Sequence, residues 1–332
     1  TIVLVDGVLY AACDQVEKRK VYFPSGGRWP KNDVETWENS GSGRVYAIDA
    51  KTLKTTRLDV STIPGGNFTS HGLGVFPSTG SDNNKVSLFL VNHHPSGSRI
   101  EVLTYEKGAK KAIWKESISH GQLNAPNSVY PIDDASFYVT NDKKNRRGVL
   151  EVVEVFTGAA ASLVMYHDSK DGVTRTVAKD IVYANGIVSS RDGEWVFVAS
   201  SGTASVLIYK RNPDNGGLKL AQRLQLYLIP DNLSIDRVTG TIYVAGFATV
   251  VDSVKLMVLR DEHSAKKIAV MKIVPNSGEQ VFYGRPWKVE AAFYTEDSRF
   301  ASVTTAVVDS VNKKTFFGGM YTSGVIVCDG VI

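Results

Sequence analysis

The sequence lacks the features that identify several large classes of protein. None of its apolar runs reaches 18 residues, so no transmembrane helix is expected. It contains no Gly-x-Ser-x-Gly elbow, no Walker loop and no His-Glu-x-x-His pair, which argues against serine hydrolases, nucleotidases and zincins. It also shows no signal peptide. Because a strand-like run begins at Ile2, we expect that a leader or N-terminal segment has been removed.

Cysteine is scarce, with Cys13 and Cys328 near opposite ends of the 332 residues. Two cysteines exclude a cysteine-based zinc site, but they are compatible either with a disulfide that ties the termini or with two buried thiols. The triplets Asn67-Phe68-Thr69 and Asn232-Leu233-Ser234 fit the glycosylation pattern of secreted proteins. We therefore expect a secreted protein.

Strong charge of one sign is also lacking, because the net charge is +4 with the six histidines counted as neutral. Three short basic runs stand out, Lys18–Lys20, Lys110–Lys111 and Lys143–Arg147. They have no interleaved aromatic residues, so we expect no nucleic-acid partner. We interpret them as solvated loop tips.

A strand-like phrase recurs along the chain, in which a turn residue precedes alternating apolar and aromatic residues. Its six copies are Asp6–Ala12, Asn84–Val91, Asp134–Thr140, Asp192–Ala199, Gly240–Gly246 and Lys314–Gly319. A second alternating run follows each copy, at Arg44–Ile48, Arg99–Tyr105, Ser162–Tyr166, Ser205–Tyr209, Lys255–Leu259 and Gly324–Cys328. Repeated sheet units that bury both faces are typical of propeller blades.

The repeats therefore predict an all-β fold, a six-bladed β-propeller in which residues 1–332 form a single domain. A large β-sandwich is the alternative. One segment, Gly148–Phe156, has apolar residues at helical spacing and predicts a helical insertion over one end of the propeller, although the same residues would suit a strand.

Polar residues precede three copies of the phrase by a similar interval, where apolar residues would be expected. They are Asn127, Asn185 and the pair Asp231 and Asn232. Equivalent positions on successive repeats can converge on the channel of a propeller. Amide and carboxylate oxygens suit calcium, which takes about six to eight oxygen ligands, and they suit zinc or copper poorly. The alternative is ordinary turn chemistry at each site.

Two histidines lie in the repeat before Asn127. His71 is part of Ser70–Leu73, and His93 directly follows an apolar strand. A histidine of near-neutral pKa can remove a proton from water, and a second can orient it and relay that proton. The alternative is a hydrogen-bonded core histidine. The other histidines are expected to carry no chemistry; they are His94, His120, His167 and His263.

The ordered set of these segments resembles the serum paraoxonase/arylesterase family of calcium-dependent lactonases, in what looks like a microbial or fungal branch. The matching stretches include Ser70–Leu73, Leu90–His93, Phe137–Asp142, Tyr183–Ile187 and Pro230–Asp236. The resemblance covers nearly the whole chain. It implies a six-bladed propeller with calcium in its central tunnel, and a small-molecule lactone or ester as substrate.

The resemblance also implies roles for single residues. Asn127, Asn185, Asp231 and Asn232 match the ligands of the catalytic calcium. His71 matches the family's proposed base and His93 its partner. The candidate substrate-binding residues are Tyr183, Phe247, Thr304, Thr305 and Tyr321. For Tyr183 and Phe247 the alternative is packing between blades.

Several positions depart from the family pattern. The family's acidic calcium ligand from a segment before the first repeated strand would fall at or before Thr1. Ser128 stands where the family has an aspartate that holds a second, structural calcium, so that ion stays open. Phe247 replaces a histidine of animal members. Cys328 matches a family cysteine whose partner is N-terminal, but Cys13 aligns a little late for that role.

Two further functions stay open beside the calcium-dependent hydrolase. One is a non-hydrolytic propeller enzyme of secondary metabolism, similar to strictosidine synthase. The other is a binding scaffold in which calcium only stabilises the fold. The substrate and the oligomeric state do not follow from the sequence.

Overall fold

Antiparallel β-sheets account for most of the regular structure in the computed structural model, which describes residues 1–23, 33–78, 84–145, 148–257 and 265–332. The strands form six sheets, and within each sheet hydrogen-bonded neighbours follow one another in the chain. The chain divides into two compact units, Thr1–Ile181 (unit 1) and Val182–Ile332 (unit 2), and each carries three sheets.

Unit 1 contains three four-stranded blades. Blade 1 comprises β1 (Ile2–Val5), β2 (Val8–Cys13), β3 (Arg44–Asp49) and β4 (Thr55–Leu58). Blade 2 comprises β5 (Ser70–Pro77), β6 (Lys85–Asn92), β7 (Arg99–Glu106) and β8 (Ala112–Ile118). Blade 3 comprises β9 (Pro126–Pro131), β10 (Phe137–Asn141), β11 (Ser162–Asp168) and β12 (Val173–Ile181).

Unit 2 contains two four-stranded blades and one of three strands within the described residues. Blade 4 comprises β13 (Ala184–Ser189), β14 (Trp195–Ser200), β15 (Ser205–Arg211) and β16 (Leu218–Gln225). Blade 5 comprises β17 (Ile229–Ile235), β18 (Ile242–Phe247), β19 (Ile268–Pro275) and β20 (Trp287–Thr295). Blade 6 comprises β21 (Val303–Asp309), β22 (Lys314–Gly319) and β23 (Ile326–Asp329).

The six blades confirm the predicted fold class, an all-β six-bladed β-propeller. Each copy of the repeated phrase is the second strand of a blade. A second strand is paired along both edges and covered on both faces, so its residues are almost all buried, as in β14 and β18. That residues 1–332 form a single domain stays a prediction.

The four helices of the described residues all connect the second strand of a blade to its third. They are α1 (Val16–Val21), α2 (Asp33–Asn39), α3 (Val149–Thr157) and α4 (Val250–Met257). α3 confirms the helix predicted at Gly148–Phe156, and it ends at Gly158 in the left-handed conformation (φ 64°). None of these helices has the length and apolar character needed to cross a membrane.

The strand-like run predicted at Lys255–Leu259 was wrong in its described part, and residues 258–259 lie outside the described residues. Lys255 lies in α4, and the third strand of blade 5 is Ile268–Pro275 instead. The physical reason lies at the start of the helix, where the Thr249 hydroxyl accepts a hydrogen bond from the backbone N–H of Asp252 at 3.1 Å. A threonine in this position caps a helix, and the alternation downstream of it is not that of a strand.

The interpretation of the basic runs as solvated loop tips was wrong at three residues, since Lys18, Arg19 and Lys143 are buried. The Lys18 ammonium donates to the Phe68 carbonyl at 2.8 Å and lies 3.4 Å from Asp14 Oδ1. A lysine can be buried when its ammonium finds such partners.

Hydrophobic clusters between neighbouring sheets hold each unit together. In unit 1, Tyr10 of β2 and Tyr105 of β7 meet edge to face with ring centroids 6.1 Å apart, and Phe89 of β6 packs against Phe137 of β10 at 5.6 Å. In unit 2, Phe317 of β22 contacts Phe300 at 5.1 Å. Cys13 and Cys328 are both free, partly buried thiols.

Candidate functional site

The first strand of five blades contains a β-bulge near its N-terminal end. In β5 the pairing jumps between Ser70 and Leu73, so that two residues of this strand face one residue of β6. The same extra residue occurs in β9, β13, β17 and β21. The pairing of β1 with β2 is regular. Bulges redirect side chains and are frequent beside functional sites.

The bulges hold every predicted catalytic and metal-binding residue that precedes a copy of the phrase. The bulged residues are His71 and Gly72 in β5, Asn127 and Ser128 in β9, Asn185 and Gly186 in β13, Asp231 and Asn232 in β17, and Thr304 in β21. The candidate residues therefore lie in strands and not in the turns that the sequence left as an alternative.

The two predicted catalytic histidines are in contact. His71 Nδ1 lies 3.2 Å from His93 Nε2, and the same nitrogen lies 3.3 Å from the Pro126 carbonyl oxygen. His93 immediately follows β6 and is fully buried. Its backbone is fixed on both sides, because its N–H donates to the Thr69 carbonyl at 3.1 Å and its carbonyl accepts from the Tyr22 hydroxyl at 3.1 Å.

The partners of His71 define which of its nitrogens carries the proton. A backbone carbonyl can only accept a hydrogen bond, so Nδ1 of His71 is the protonated nitrogen that faces Pro126. The remaining lone pair of the neutral ring then belongs to Nε2. This is the tautomer that a general base of this arrangement requires.

The surroundings of His71 keep its ring neutral. Burial lowers the pKa of His71 to about 3, with the positive charge of Arg19 as the next largest cause. The Arg19 guanidinium lies 5.0 Å from the centre of the Phe23 ring, which in turn meets His71 edge to face at 5.9 Å. At neutral pH the ring therefore presents a lone pair and not a charge.

Asn127 lies beside a buried cluster of charged residues. Its side-chain Nδ2 donates to Asp142 Oδ2 at 3.3 Å. The other oxygen, Oδ1 of Asp142, is buried and has no hydrogen-bond partner among the described residues. Burial raises the pKa of Asp142 to about 6, although Lys143 next to it acts in the opposite direction.

α3 is attached to this cluster by two buried glutamates. The Lys143 ammonium pairs with Glu151 Oε1 at 2.7 Å. Glu154 accepts hydrogen bonds from the backbone N–H groups of Lys144 at 2.8 Å and Asn145 at 3.0 Å. Because α3 enters the chain directly after β10, these contacts lie at the end of blade 3 that also carries Asn127.

In unit 2, a serine hydroxyl fixes the orientation of Asn185. Ser201 Oγ donates to the Pro230 carbonyl at 2.5 Å, so it accepts the hydrogen bond from Asn185 Nδ2 at 3.3 Å. The amide nitrogen is thereby directed at Ser201, and Oδ1 lies on the opposite side of the amide group.

The next bulge orients Asn232 in the same sense. Its Nδ2 donates to Asp231 Oδ1 at 3.0 Å and to the Thr304 carbonyl at 3.1 Å. Both partners are acceptors, so the assignment of nitrogen and oxygen in this amide is unambiguous. In all three asparagines the amide nitrogen is thus the atom that donates to an acceptor of the protein.

Two glycines allow the bulged strands to approach each other. A Cβ on Gly72 would lie 2.4 Å from the Asn127 carbonyl oxygen, and one on Gly186 would lie 2.5 Å from the backbone nitrogen of Leu233. No side chain fits at such distances. Gly72 thus sets the spacing between β5 and β9, and Gly186 that between β13 and β17.

The predicted substrate-binding residues all belong to unit 2 but differ in their surroundings. Tyr183 precedes β13 in the left-handed conformation (φ 59°), which is unusual for a bulky residue. Thr304 and Thr305 are buried in β21. Phe247 is buried in the hydrophobic cluster of blades 5 and 6, and Tyr321 is partly buried against that cluster. The surroundings of Phe247 favour the packing alternative for that residue.

Sequence reasoning missed three residues that shape the site: Asp142, Ser201, and Ser98, whose Oγ lies 3.3 Å from His93 Nδ1. Asp142 belongs to a stretch that the resemblance includes, but no pattern distinguishes it from its neighbours. The two serines have no sequence signal at all. Of the histidines set aside, His167 is buried and hydrogen-bonded to Thr174 Oγ1 at 2.9 Å, while His263 lies outside the described residues.

The described ranges contain no cluster of three or more His, Cys, Asp or Glu side chains with the spacing of a metal site. The predicted ligand set differs from such a cluster, since it consists of three amides and one carboxylate.

The fold and the site define a β-propeller in which the first strands of five blades contain bulges, four of them with candidate catalytic or metal-binding residues. Residues 11–329 match the sequence model of the family described as Arylesterase, and the chain belongs to that family. It is 29% identical over 227 residues to serum paraoxonase/arylesterase 1 of Mus musculus, a match that covers 67% of this chain and 62% of that protein. It is 27% identical over 225 residues to serum paraoxonase/lactonase 3 of Homo sapiens, covering 67% and 61%.

The chain thus matches about three fifths of the length of these curated relatives. Among solved structures, a luciferin-regenerating enzyme superposes with a TM-score of 0.54 at 15% identity, covering 94% of this chain and 80% of that one. At this identity the likeness concerns the fold alone.

Proposed function

We propose that this protein is a calcium-dependent hydrolase that opens lactones or cleaves carboxylic esters. The observation that carries the proposal is the His71–His93 pair, with its nitrogens 3.2 Å apart. The Pro126 carbonyl directs the proton of His71 to Nδ1, so that Nε2 holds the lone pair. The names of the relatives, which include arylesterase and lactonase, support the same reaction class.

The chain's own residues provide proton transfer. We propose that His71 Nε2 removes a proton from water as the oxygen attacks the carbonyl carbon, and that His93 stabilises the resulting charge through His71 Nδ1–H. When the ring or ester C–O bond breaks, the same proton returns to the leaving oxygen. A lactone then yields a hydroxy acid, and an ester yields an acid and an alcohol.

The low pKa of His71 fits a base that is neutral before the reaction. A ring that is protonated only near pH 3 is fully available at neutral pH, but it accepts a proton reluctantly. The partner His93 is therefore needed, since it spreads the positive charge over two rings within hydrogen-bond distance.

We further propose that calcium is bound by Asn127, Asn185, Asp231 and Asn232. The hydrogen bonds of Asn127 and Asn232 support this, because each amide nitrogen donates to an acceptor of the protein. The amide oxygen Oδ1 of each residue is then the atom proposed as the calcium ligand. Oxygen donors of this kind fit calcium. When bound, calcium would supply a positive charge that polarises the substrate carbonyl.

We propose one catalytic calcium and make no proposal for a second, structural ion. Tyr183, Thr304, Thr305, Phe247 and Tyr321 are proposed to contact the substrate, with Thr304 supported by its position in a bulge. Secretion is likewise proposed, since Asn67 of the first glycosylation triplet is partly exposed.

Hydrolysis of a panel of γ- and δ-lactones and aryl esters tests the function, with EDTA and with calcium added back. We expect turnover that EDTA abolishes and calcium restores. Turnover that persists in EDTA would reject the calcium dependence. No turnover with calcium bound would instead favour the non-hydrolytic enzyme or the scaffold, and a calcium-dependent rise in melting temperature without activity would identify the scaffold.

A further inference from the structure

Ser98 connects the buried end of the histidine pair to the backbone of the next blade. It lies directly before β7, at the end of the loop that begins with His93, and its residue is 4% exposed. Its hydroxyl is 3.3 Å from His93 Nδ1 and donates to the Asn124 carbonyl at 3.0 Å. Asn124 stands two residues before β9, the strand that carries Pro126 and Asn127.

The direction of each hydrogen bond in the series His71–His93–Ser98–Asn124 follows from the Asn124 carbonyl at its end. The Asn124 carbonyl can only accept, so the single hydroxyl proton of Ser98 points to it. Ser98 Oγ then accepts from His93, which places the proton of neutral His93 on Nδ1. His93 Nε2 consequently has the lone pair that accepts from His71 Nδ1–H.

We infer that Ser98 is a positioning residue that holds His93 in the Nδ1–H tautomer, and that it thereby makes His93 an acceptor for His71. The effect of Ser98 on turnover rests on the proposed hydrolase function, whereas the tautomer of His93 does not. The series of hydrogen bonds from Ser98 to His71 ends at each side on a backbone carbonyl of one segment, that of Asn124 and that of Pro126. The orientation of the two histidine rings is therefore fixed at both ends.

The charged groups around the pair make this acceptor important. The charged side chains that act electrostatically on His71 include Arg19 of α1 and Lys143 after β10, and both are cations. They oppose any positive charge on the two rings. Within the described part of the chain, Ser98 Oγ is an uncharged acceptor placed at the far ring, where it can stabilise a proton on His93.

The ¹⁵N chemical shifts of the His93 imidazole in the full chain test the inference without any substrate, with His93→Gln used for assignment. We expect the Nδ1–H tautomer in the wild type and a shift towards the Nε2–H tautomer in Ser98→Ala. Ser98→Thr keeps the hydroxyl and is expected to restore the wild-type shifts. Ser96→Ala is the matched control, because Ser96 Oγ lies 2.7 Å from His94 Nδ1 in the same loop.

Kinetics on a lactone that the wild type hydrolyses provide the second measurement. Ser98→Ala is expected to lower kcat by about 10-fold, less than the 10²–10⁴ that a general base contributes, with little change in KM. Ser98→Thr is expected to recover most of kcat. A change in KM alone, or an equal loss in Ser96→Ala, would overturn the assigned role.

The two measurements separate the possible failures. If the wild type hydrolyses no substrate but the ¹⁵N shifts behave as expected, the proposed function fails and the tautomer assignment stands. If His93 carries its proton on Nε2 in the wild type, or if Ser98→Ala leaves it on Nδ1, the inference is wrong whatever the activity.

Discussion

Strand β5 of unit 1 and strand β17 of unit 2 contain the same bulge and different side chains. In β5 the bulge holds His71, which contacts a second histidine and a backbone carbonyl. In β17 it holds Asp231 and Asn232, and the amide nitrogen of Asn232 donates both to Asp231 Oδ1 and to the Thr304 carbonyl. The comparison shows that the same bulge can hold different side chains, and under the proposed function the residue type then decides between proton transfer and an oxygen ligand.

The residues behind the bulges differ in charge. In unit 1, Asn127 contacts Asp142, which adjoins the buried pair of Lys143 and Glu151. In unit 2 the group behind Asn185 is neutral, since the amide nitrogen of Asn185 donates to the hydroxyl of Ser201. The groups behind Asn127 can therefore change charge with pH, whereas the hydroxyl behind Asn185 cannot.

Both units use a serine in the connection between second and third strands. Ser98 precedes β7 and Ser201 follows β14, and each hydroxyl donates to a backbone carbonyl while accepting from a candidate site residue. Such outer contacts define the hydrogen-bond direction of the candidate site residues.

The replacement His71→Ala should have the largest effect on turnover. It would distinguish most clearly the role of the bulge in β5 from that of the bulge in β17. We expect kcat to fall by about 10²–10⁴, the contribution of a general base, because no other nitrogen takes its place. Calcium affinity, measured by calorimetry, should stay unchanged. His120→Ala, at an exposed histidine, is the control. A variant that keeps its turnover, or that loses calcium as well, would contradict the separate roles proposed for His71 and for the calcium ligands.

The replacement Asp231→Asn probes the opposite side of the comparison. Asp231 is the only carboxylate among the predicted ligands, and calcium affinity follows the charge of its ligands. We expect the dissociation constant to rise at least about 10-fold, as even the loss of an outer-shell partner does, and turnover to return at saturating calcium. The control is Asp214→Asn, in an exposed turn. Unchanged affinity in Asp231→Asn would remove this residue from the calcium site.

The sequence predicts the fold well because the second strands carry the repeat. Each is buried on both faces, so the apolar pattern is strong and recurs once per blade. The helix α3 is also predictable, since its apolar spacing is helical and Gly158 ends it. By contrast, the sequence predicts a strand where the structure has α4, because a short apolar run is compatible with either a helix or a strand. The helix becomes predictable only when the cap at Thr249 is recognised.

The candidate site is only partly predictable. The polar residues before the second strands are visible in the sequence, but the bulges that hold them arise from pairing between strands. The burial of Lys18 and Lys143 depends on distant partners, the Phe68 carbonyl and Glu151. Ser98 was missed for the same reason, since its role comes from contacts with His93 and Asn124 and not from its neighbours in the chain.

The replacements Gly72→Ala and Gly186→Ala should have the smallest effects. They test whether a glycine is required for the close approach of neighbouring bulged strands in both units. The new Cβ would meet the Asn127 carbonyl oxygen at 2.4 Å in unit 1, and the Leu233 nitrogen at 2.5 Å in unit 2. Overpacking of this kind costs about 1–3 kcal/mol, and here the neighbours are backbone atoms that cannot rotate away. We expect both variants to lower the urea midpoint and to weaken calcium binding.

The matched controls are Gly121→Ala in unit 1 and Gly324→Ala in unit 2, where a Cβ meets no atom within 4 Å and φ is not positive. There alanine restricts the unfolded chain without straining the folded one, so stability should stay equal or rise by about 0.4–1 kcal/mol. If Gly186→Ala is destabilised and Gly72→Ala is not, β5 can move relative to β9, and the spacing of His71 from Pro126 is then set by the hydrogen bonds of the histidine pair and not by the glycine.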